Sequence, residues 1–338
     1  MPRGIYNLGN TCFLNTCLQI LLHTYELYTL PLNLCNTTIL EAKFMEQWIL
    51  FQKEMIGCRP GPESAPFPPN SLIQWIRHVA GVQNRMLFTG NSQNDMTEFL
   101  LFFIECIHTC FQRPMEIHIQ GQIESETDQM AIQCYTMISE TYKKEYSEIR
   151  HLFYGISVSR LIDITAEKTI LQTNPESFFI LDLPIDGPNL YTCLQKYCTP
   201  ELLEKENAWF NETTGQKQDV YKQIVFWNFP PILVISLNRF YINEEQTQLL
   251  KNMHLVDFPI ETLDLSSFVV GYKPESYQYE LYGICNHVGD IMGGHYSAFI
   301  KTNENQWFHC NDHLIEHVEK PAEMVTPLAY CLFYRRKS

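Results

Sequence analysis

Cys12 is the residue best placed to do chemistry. It follows the turn Gly9-Asn10-Thr11 and opens a run with apolar side chains at 14, 18, 21, 22 and 25, the period of an amphipathic helix. A thiol in the first turn of a helix lies among unpaired N–H groups at the positive end of the dipole, which lowers its pKa. Such a nucleophile needs a base, and His295 fits. Met292-Gly293-Gly294-His295-Tyr296 opens a strand, and two glycines let another backbone approach closely, as a narrow substrate channel requires. Asn311 and Asp312 follow Trp307 on the next strand. On antiparallel neighbours either one could face His295 and fix its tautomer. Asn7, five residues before Cys12, carries an amide able to donate to an oxyanion. Singly these features are commonplace; together, in the order Cys, His, Asn, they describe acyl transfer through a thioester.

The elements that must position these groups change character along the chain. The first ~148 residues read as helical: 12–28 with Asn10 or Thr11 as cap, and about 38–56 opened by the capping box Thr38-x-x-Glu41. Further helices fall at about 70–79, 94–111 and 127–146. Five prolines make 59–70 a loop. In the second half, β-branched and aromatic residues predict strands at 152–164, 178–183, 220–227, 232–242, 277–287, 295–302, 306–310 and 328–335, with one helix at 189–206. Helices first and strands later predict an α+β fold, with helices packed on one side of an antiparallel sheet.

Composition narrows the function. The 338 residues carry 24 Lys+Arg against 38 Asp+Glu, a net charge of −14, which disfavours nucleic acid as a partner. A 45% hydrophobic content supports a substantial core. No apolar run is long enough to span a bilayer, and no secretory signal is legible. Twelve scattered cysteines without a CxxC pair read as reduced, mostly buried thiols.

Long stretches resemble a known family. Gly4-Ile5-Tyr6-Asn7-Leu8-Gly9-Asn10-Thr11-Cys12-Phe13-Leu14-Asn15 resembles the cysteine box of ubiquitin-specific proteases, and residues 286–298, from Asn286 through His295 to Ala298, resemble their histidine box. Gln93-Asn94-Asp95-Met96-Thr97-Glu98-Phe99-Leu100 is similar to their Gln-Gln-Asp-Ala-x-Glu-Phe element, Ile232 to Phe240 to their Leu-x-Leu-Lys-Arg-Phe strand, and Tyr330 to Tyr334 to their last strand. The matches run in family order across almost the whole chain. The resemblance implies one catalytic domain over 1–338: a papain-like right hand with a helical thumb to about 148, then β fingers and an antiparallel β palm. It implies hydrolysis of the isopeptide or peptide bond after the C-terminal glycine of ubiquitin. Cys12 is then the nucleophile, His295 the general base and Asn7 the oxyanion donor. Asn311 orients His295, with Asp312 in support. Asp95 and Glu98 are expected to face the basic tail of ubiquitin, alongside Gly293, Gly294 and Tyr296. The implied protein is a monomer without cofactor or membrane insertion, acting on ubiquitin and ubiquitinated proteins in the reducing cytoplasm or nucleus.

The chain departs from the family at the fingertips. Asp163, Ala166, Asn211 and Thr214 stand where many members carry four zinc-binding cysteines, so no structural zinc is expected. A metalloprotease reading rests on His313-Leu314-Ile315-Glu316-His317, a literal H-x-x-E-H. Its alternation and its place between a strand and Pro321 predict a strand, whereas zinc sites of this pattern need a helix. Two rivals share the fold: a ubiquitin-binding pseudoenzyme and a protease for a ubiquitin-like modifier.

Overall fold

The computed structural model describes residues 1–57, 65–165, 167–243, 248–290 and 293–337. Six helices come first: α1 (Cys12–Leu22), α2 (Leu40–Gly57), α3 (Asn70–Val82), α4 (Met96–Phe111), α5 (Glu126–Glu145) and α6 (Glu148–Phe153). Strands β1 (Gly155–Asp163), β2 (Ile170–Phe178) and β3 (Ile180–Pro184) follow, then α7 (Leu190–Tyr197) and the short β4 (Glu201–Leu203), β5 (Trp209–Asn211) and β6 (Gln216–Gln218). Next come β7 (Val220–Asn228), β8 (Ile232–Asn238), β9 (Phe240–Asn243), β10 (Gln248–Lys251) and β11 (Leu263–Asp264). The chain closes with β12 (Gln278–Gly289), β13 (Gly294–Lys301), β14 (Trp307–Asn311), β15 (Leu314–Val318) and β16 (Ala329–Arg336).

The fold is α+β. An eight-stranded sheet runs β15-β14-β13-β12-β16-β8-β3, with β11 added beside β12. It is mixed rather than wholly antiparallel, because β3 pairs parallel with β8. A second, four-stranded sheet has the order β2-β1-β7-β4. Its edge strand β2 is mostly exposed and contains Pro175, which an edge tolerates because no ladder bond is needed on its open side. That polar, proline-bearing run carries no strand signature in the sequence.

Local chemistry sets several boundaries. The helix expected over 12–28 stops at Leu22, where the Thr24 hydroxyl takes the Ile20 carbonyl (3.2 Å), and a 3₁₀ turn covers Tyr25–Thr29. The helix expected over 189–206 ends at Tyr197, since Pro200 forbids continuation. Of the proline loop, 58–64 lie outside the described residues. Of residues 313–317, all but His313 lie in the strand β15, as the alternation predicted, and not in a helix.

All eleven residues of α1 are buried. The helix lies between α4 and the sheet strands β12, β13 and β14. The amphipathic expectation therefore fails at Asn15 and Gln19, which are only 1% and 2% exposed. Both keep hydrogen bonds: Asn15 Nδ2 donates to Asp312 Oδ1 (2.8 Å) and Gln19 Nε2 to the Arg3 carbonyl (2.7 Å). A helix enclosed on every side is a rigid base for the group at its first position.

Three enclosed histidines give the fold an acid liability. Burial holds His23, His108 and His287 down at about 4. The unfolded chain takes up these protons near pH 6.5, so it binds more protons than the native state between about pH 6.5 and 4. Stability is present above that window and lost as pH falls through it, by on the order of 3 kcal/mol per histidine. Urea midpoints measured from pH 7 to 4.5 are expected to fall steeply. His108→Gln, which takes up no proton, flattens the slope; an unchanged slope refutes the assignment to His108.

Candidate active site

The turn before Cys12 is closed by Asn7. Its Oδ1 accepts from the N–H groups of Gly9 (3.0 Å) and Thr11 (3.1 Å) and from the Thr11 hydroxyl (3.2 Å). Of the two caps expected from sequence, Thr11 occupies the cap position without capping α1 through its side chain, and Asn10 turns away to the Asn91 carbonyl (2.9 Å). Gly9 and Asn10 have positive φ, 97° and 55°, so the chain doubles back and sets Cys12 at the helix start.

Asn7 is itself held from the far end of the chain. Its Nδ2 donates to Asp312 Oδ2 (3.0 Å), while Asp312 Oδ1 accepts from Asn15. Asp312 sits in the left-handed region (φ 50°) just after β14, and its carbonyl accepts from Ile5 N–H (2.9 Å). One carboxylate thus clamps the turn before Cys12 and the helix after it.

His295 lies near the start of β13, with Asn311 at the end of its antiparallel neighbour β14. Their side chains meet, His295 Nε2 to Asn311 Oδ1 at 2.6 Å. Asn311 touches the imidazole, and Asp312 bonds the Asn7 and Asn15 amides. The Tyr296 N–H points at the Cys12 sulfur, which brings the β13 backbone beside α1.

Cys12 is 2% exposed. Its burial pushes the thiol above its ordinary pKa, and the Asp312 carboxylate adds to the rise; the N–H groups of Tyr296, Phe13 and Cys12 itself pull the other way. This corrects the expectation of a lowered pKa. The helix start does supply N–H groups, but desolvation of an enclosed sulfur outweighs them.

Gly294, the second of the glycine pair, has a packing role in the free chain. A Cβ at Gly294 meets His287 Nε2 at 2.2 Å and the Val288 carbonyl at 2.5 Å. His287 is fixed in turn by Lys251, whose Nζ lies 2.9 Å from its Nδ1 and 2.7 Å from its carbonyl, and its ring packs 4.6 Å from that of Tyr296. Gln93 straps the other side of Gly294: Nε2 donates to the Gly294 carbonyl (2.8 Å) and Oε1 accepts its N–H (2.9 Å). Ile291 and Met292 lie outside the described residues.

Asp95 caps α4. One oxygen accepts from the N–H groups of Thr97 (2.8 Å) and Glu98 (3.1 Å), and the other from the hydroxyls of Tyr330 (2.6 Å) and Tyr296 (3.3 Å). Glu98 is exposed on the first turn of the same helix. Sequence reasoning did not single out Gln93, Asn15, Lys251 or His287. The legible signals were a polar residue interrupting an apolar run at Asn15 and motif membership for Asn15, Gln93 and His287.

At the fingertip positions, Asp163 Oδ1 accepts from Thr165 N–H (3.1 Å), and Asn211 Oδ1 accepts from Thr213 N–H (3.0 Å) and Thr214 N–H (3.3 Å). These side chains close turns; Ala166 lies outside the described residues. Among the described residues, no group of three or more His, Cys, Asp or Glu could hold a metal ion.

Known proteins share both sequence and architecture with this chain. It is 26% identical to ubiquitin carboxyl-terminal hydrolase 4 of Saccharomyces cerevisiae over 377 aligned positions, covering 98% of this chain and 39% of the relative. It is 27% identical to ubiquitin carboxyl-terminal hydrolase Usp2 of Drosophila melanogaster, with 98% and 34% covered. The chain therefore spans little more than a third of the length of these relatives. Among solved structures, it superposes on a chain of the SAGA Ubp8/Sgf11/Sus1/Sgf73 DUB module bound to ubiquitin aldehyde, with a TM-score of 0.74, 23% identity, and 99% and 70% of the two chains covered. That likeness speaks for the fold. The ubiquitin carboxyl-terminal hydrolase family matches residues 3–334, and with the cysteine, histidine and asparagine assembled as above, the chain belongs to that family.

Proposed function

We propose that the protein is a thiol-dependent hydrolase that cuts the bond after the C-terminal glycine of ubiquitin. The observation that carries this reading is the His295–Asn311 contact on strands whose backbone abuts the Cys12 sulfur. A neutral asparagine oxygen accepts only from a protonated ring nitrogen, so it holds the proton on Nε2 and leaves the Nδ1 lone pair as the base.

The burial-raised thiol argues for a resting pair of neutral thiol and neutral imidazole. Proton transfer from Cys12 to His295 then accompanies attack on the glycine carbonyl. The second N–H of Asn7 Nδ2 and the backbone N–H of Cys12 stabilise the oxyanion, with Asp312 aiming the Asn7 amide. His295 returns the proton to the leaving amine, and water hydrolyses the thioester. Asp95, spent on capping α4 and on two tyrosine hydroxyls, shapes the cleft floor beside Tyr296. Glu98, on the outer face, is the acid available to an arginine-bearing tail. We assign Gly293 to the path of that tail. The proposed site is a single catalytic domain acting as a monomer, in a reducing compartment such as cytoplasm or nucleus. Among the described residues, no helix is long and apolar enough to cross a membrane.

The test is reaction with ubiquitin carrying a thiol-reactive group at its C-terminal glycine, on wild type and Cys12→Ala. A covalent adduct on wild type alone, insensitive to chelator, is expected. Binding without an adduct identifies a pseudoenzyme, and neither binding nor adduct moves the substrate to a ubiquitin-like modifier.

A further inference from the structure

The hairpin that follows Asn311 presents an apolar surface beside the catalytic pair. Strands β14 and β15 turn through Asp312 and His313, and Leu314 is the register partner of Asn311. Directly opposed residues of an antiparallel pair project from the same face, with Cβ atoms about 4.5–5.5 Å apart. Leu314 therefore stands next to Asn311 on the face where Asn311 meets His295. It lies on the edge strand of the sheet and is 52% exposed.

A second segment continues this surface. Tyr6, 43% exposed, precedes Asn7, and its ring stacks on that of His313, with centroids 6.4 Å apart and planes 19° from parallel. Both rings stand on stiff backbone. Ile5 N–H donates to the Asp312 carbonyl (2.9 Å) and Tyr6 N–H to the Phe67 carbonyl (3.0 Å). A Cβ at Gly4 would lie 2.3 Å from the His313 carbonyl oxygen, so the two segments touch along their backbones. Tyr6, His313 and Leu314 thus form a fixed ledge, continuous in sequence with Asn7 and Asp312. A surface held this way pays little ordering entropy when a partner lies on it.

The reaction decides the occupant. The acyl side of the substrate is assigned above to the path past Gly293. The bond that breaks joins the acyl carbon to an amine, and His295 hands its proton to that amine. The amine and the polypeptide behind it therefore sit at His295 on the side away from the acyl chain, and the next surface there is Leu314 and the hairpin turn.

We propose that the ledge of Tyr6, His313 and Leu314 receives the polypeptide on the amine side of the scissile bond and selects apolar or aromatic side chains flanking the lysine. The inference rests on the hydrolase reading above and adds to it a preference in the leaving polypeptide.

Two substrates test it: ubiquitin joined through its C-terminal glycine to the lysine side chain of a short peptide, with either phenylalanine or serine on both sides of the lysine. The wild-type chain is expected to favour the phenylalanine-flanked substrate by about five- to tenfold in kcat/KM, mainly through KM. Leu314→Ser and Tyr6→Ser are each expected to bring that ratio close to one by slowing the phenylalanine-flanked substrate alone. Leu314→Arg is expected to move the preference to a glutamate-flanked peptide, a gain that a poorly folded variant cannot show. Turnover without a preference in the wild type, or a preference that survives both serine variants, overturns this proposal and leaves the hydrolase reading standing. No turnover of either substrate, together with no adduct in the probe reaction above, overturns both.

Discussion

Asn311→Ala is expected to lower kcat/KM for a fluorogenic ubiquitin C-terminal amide by about 10²–10⁴-fold, almost wholly through kcat. The Asn311 oxygen, 2.6 Å from His295 Nε2, is the acceptor that on the proposed mechanism keeps the proton on that nitrogen and fixes the ring for the thiol. Without it the imidazole spends most of its time in the wrong tautomer or rotated. Asp312→Asn gives a different pattern. Asparagine accepts the left-handed backbone at this position (φ 50°), so the turn survives. Loss of the carboxylate removes one cause of the raised Cys12 pKa, and alkylation by iodoacetamide at fixed pH is expected to quicken. The clamp on Asn7 and Asn15 is weakened at the same time, so kcat falls about 10–10²-fold although the thiol is more reactive. The two readouts moving in opposite directions mark a group that aims the oxyanion donor. If Asp312→Asn lost more kcat than Asn311→Ala and slowed alkylation as well, the two roles would have to be exchanged.

Gly294→Ala should be as damaging, for a steric reason. The added carbon falls 2.2 Å from His287 Nε2 and 2.5 Å from the Val288 carbonyl, and backbone cannot swing aside as a flexible side chain does. Lys251 and Tyr296 hold His287 on its other sides, so strand β13 must move, and His295 is the next residue. A displacement near 1 Å costs about 10²-fold in rate. Gly293→Ala is the control: its carbon lies 3.5 Å from Gln93 Oε1, an ordinary contact. Alkylation of Cys12 and the melting temperature are expected to be unchanged in that variant. Any loss then appears in KM, as a direct test of Gly293 on the substrate path. Equal kcat for the two alanine variants would show that the close packing at Gly294 is dispensable.

The elements around the site were largely legible because their signals are local. Ile232 to Leu237 reads as a buried strand from its side chains alone, and α4 announces itself with a nearly continuous apolar run. The failures share one cause: the deciding partner is distant in sequence. Asn15 looked like the polar face of an amphipathic helix because its partner, Asp312, lies 297 residues away. The raised pKa of Cys12 was hidden likewise, since the enclosure that produces it comes from α4 and from strands near the C-terminus. That Asp95 accepts from the Tyr296 and Tyr330 hydroxyls is hidden likewise, since both belong to the last sheet strands. Strand β2 was missed for the opposite reason, having almost no burial to leave a pattern.

The enclosure of α1 also dictates an order of events during synthesis. The helix carrying Cys12 emerges from the ribosome long before the strands that cover it, β12 to β14, which are made more than 250 residues later. At 5–20 residues per second that interval is roughly 15–60 s. Throughout it, the eleven residues of α1 that end up buried lack the sheet strands that cover them. The contacts that finish the site, Asn7 to Asp312 and Asn15 to Asp312, span about nine-tenths of the chain. A nascent or truncated chain lacking the last strands thus carries the thiol without its base, its tautomer anchor or its clamp. On the proposed chemistry such a chain is silent until those strands are made and have packed against α1.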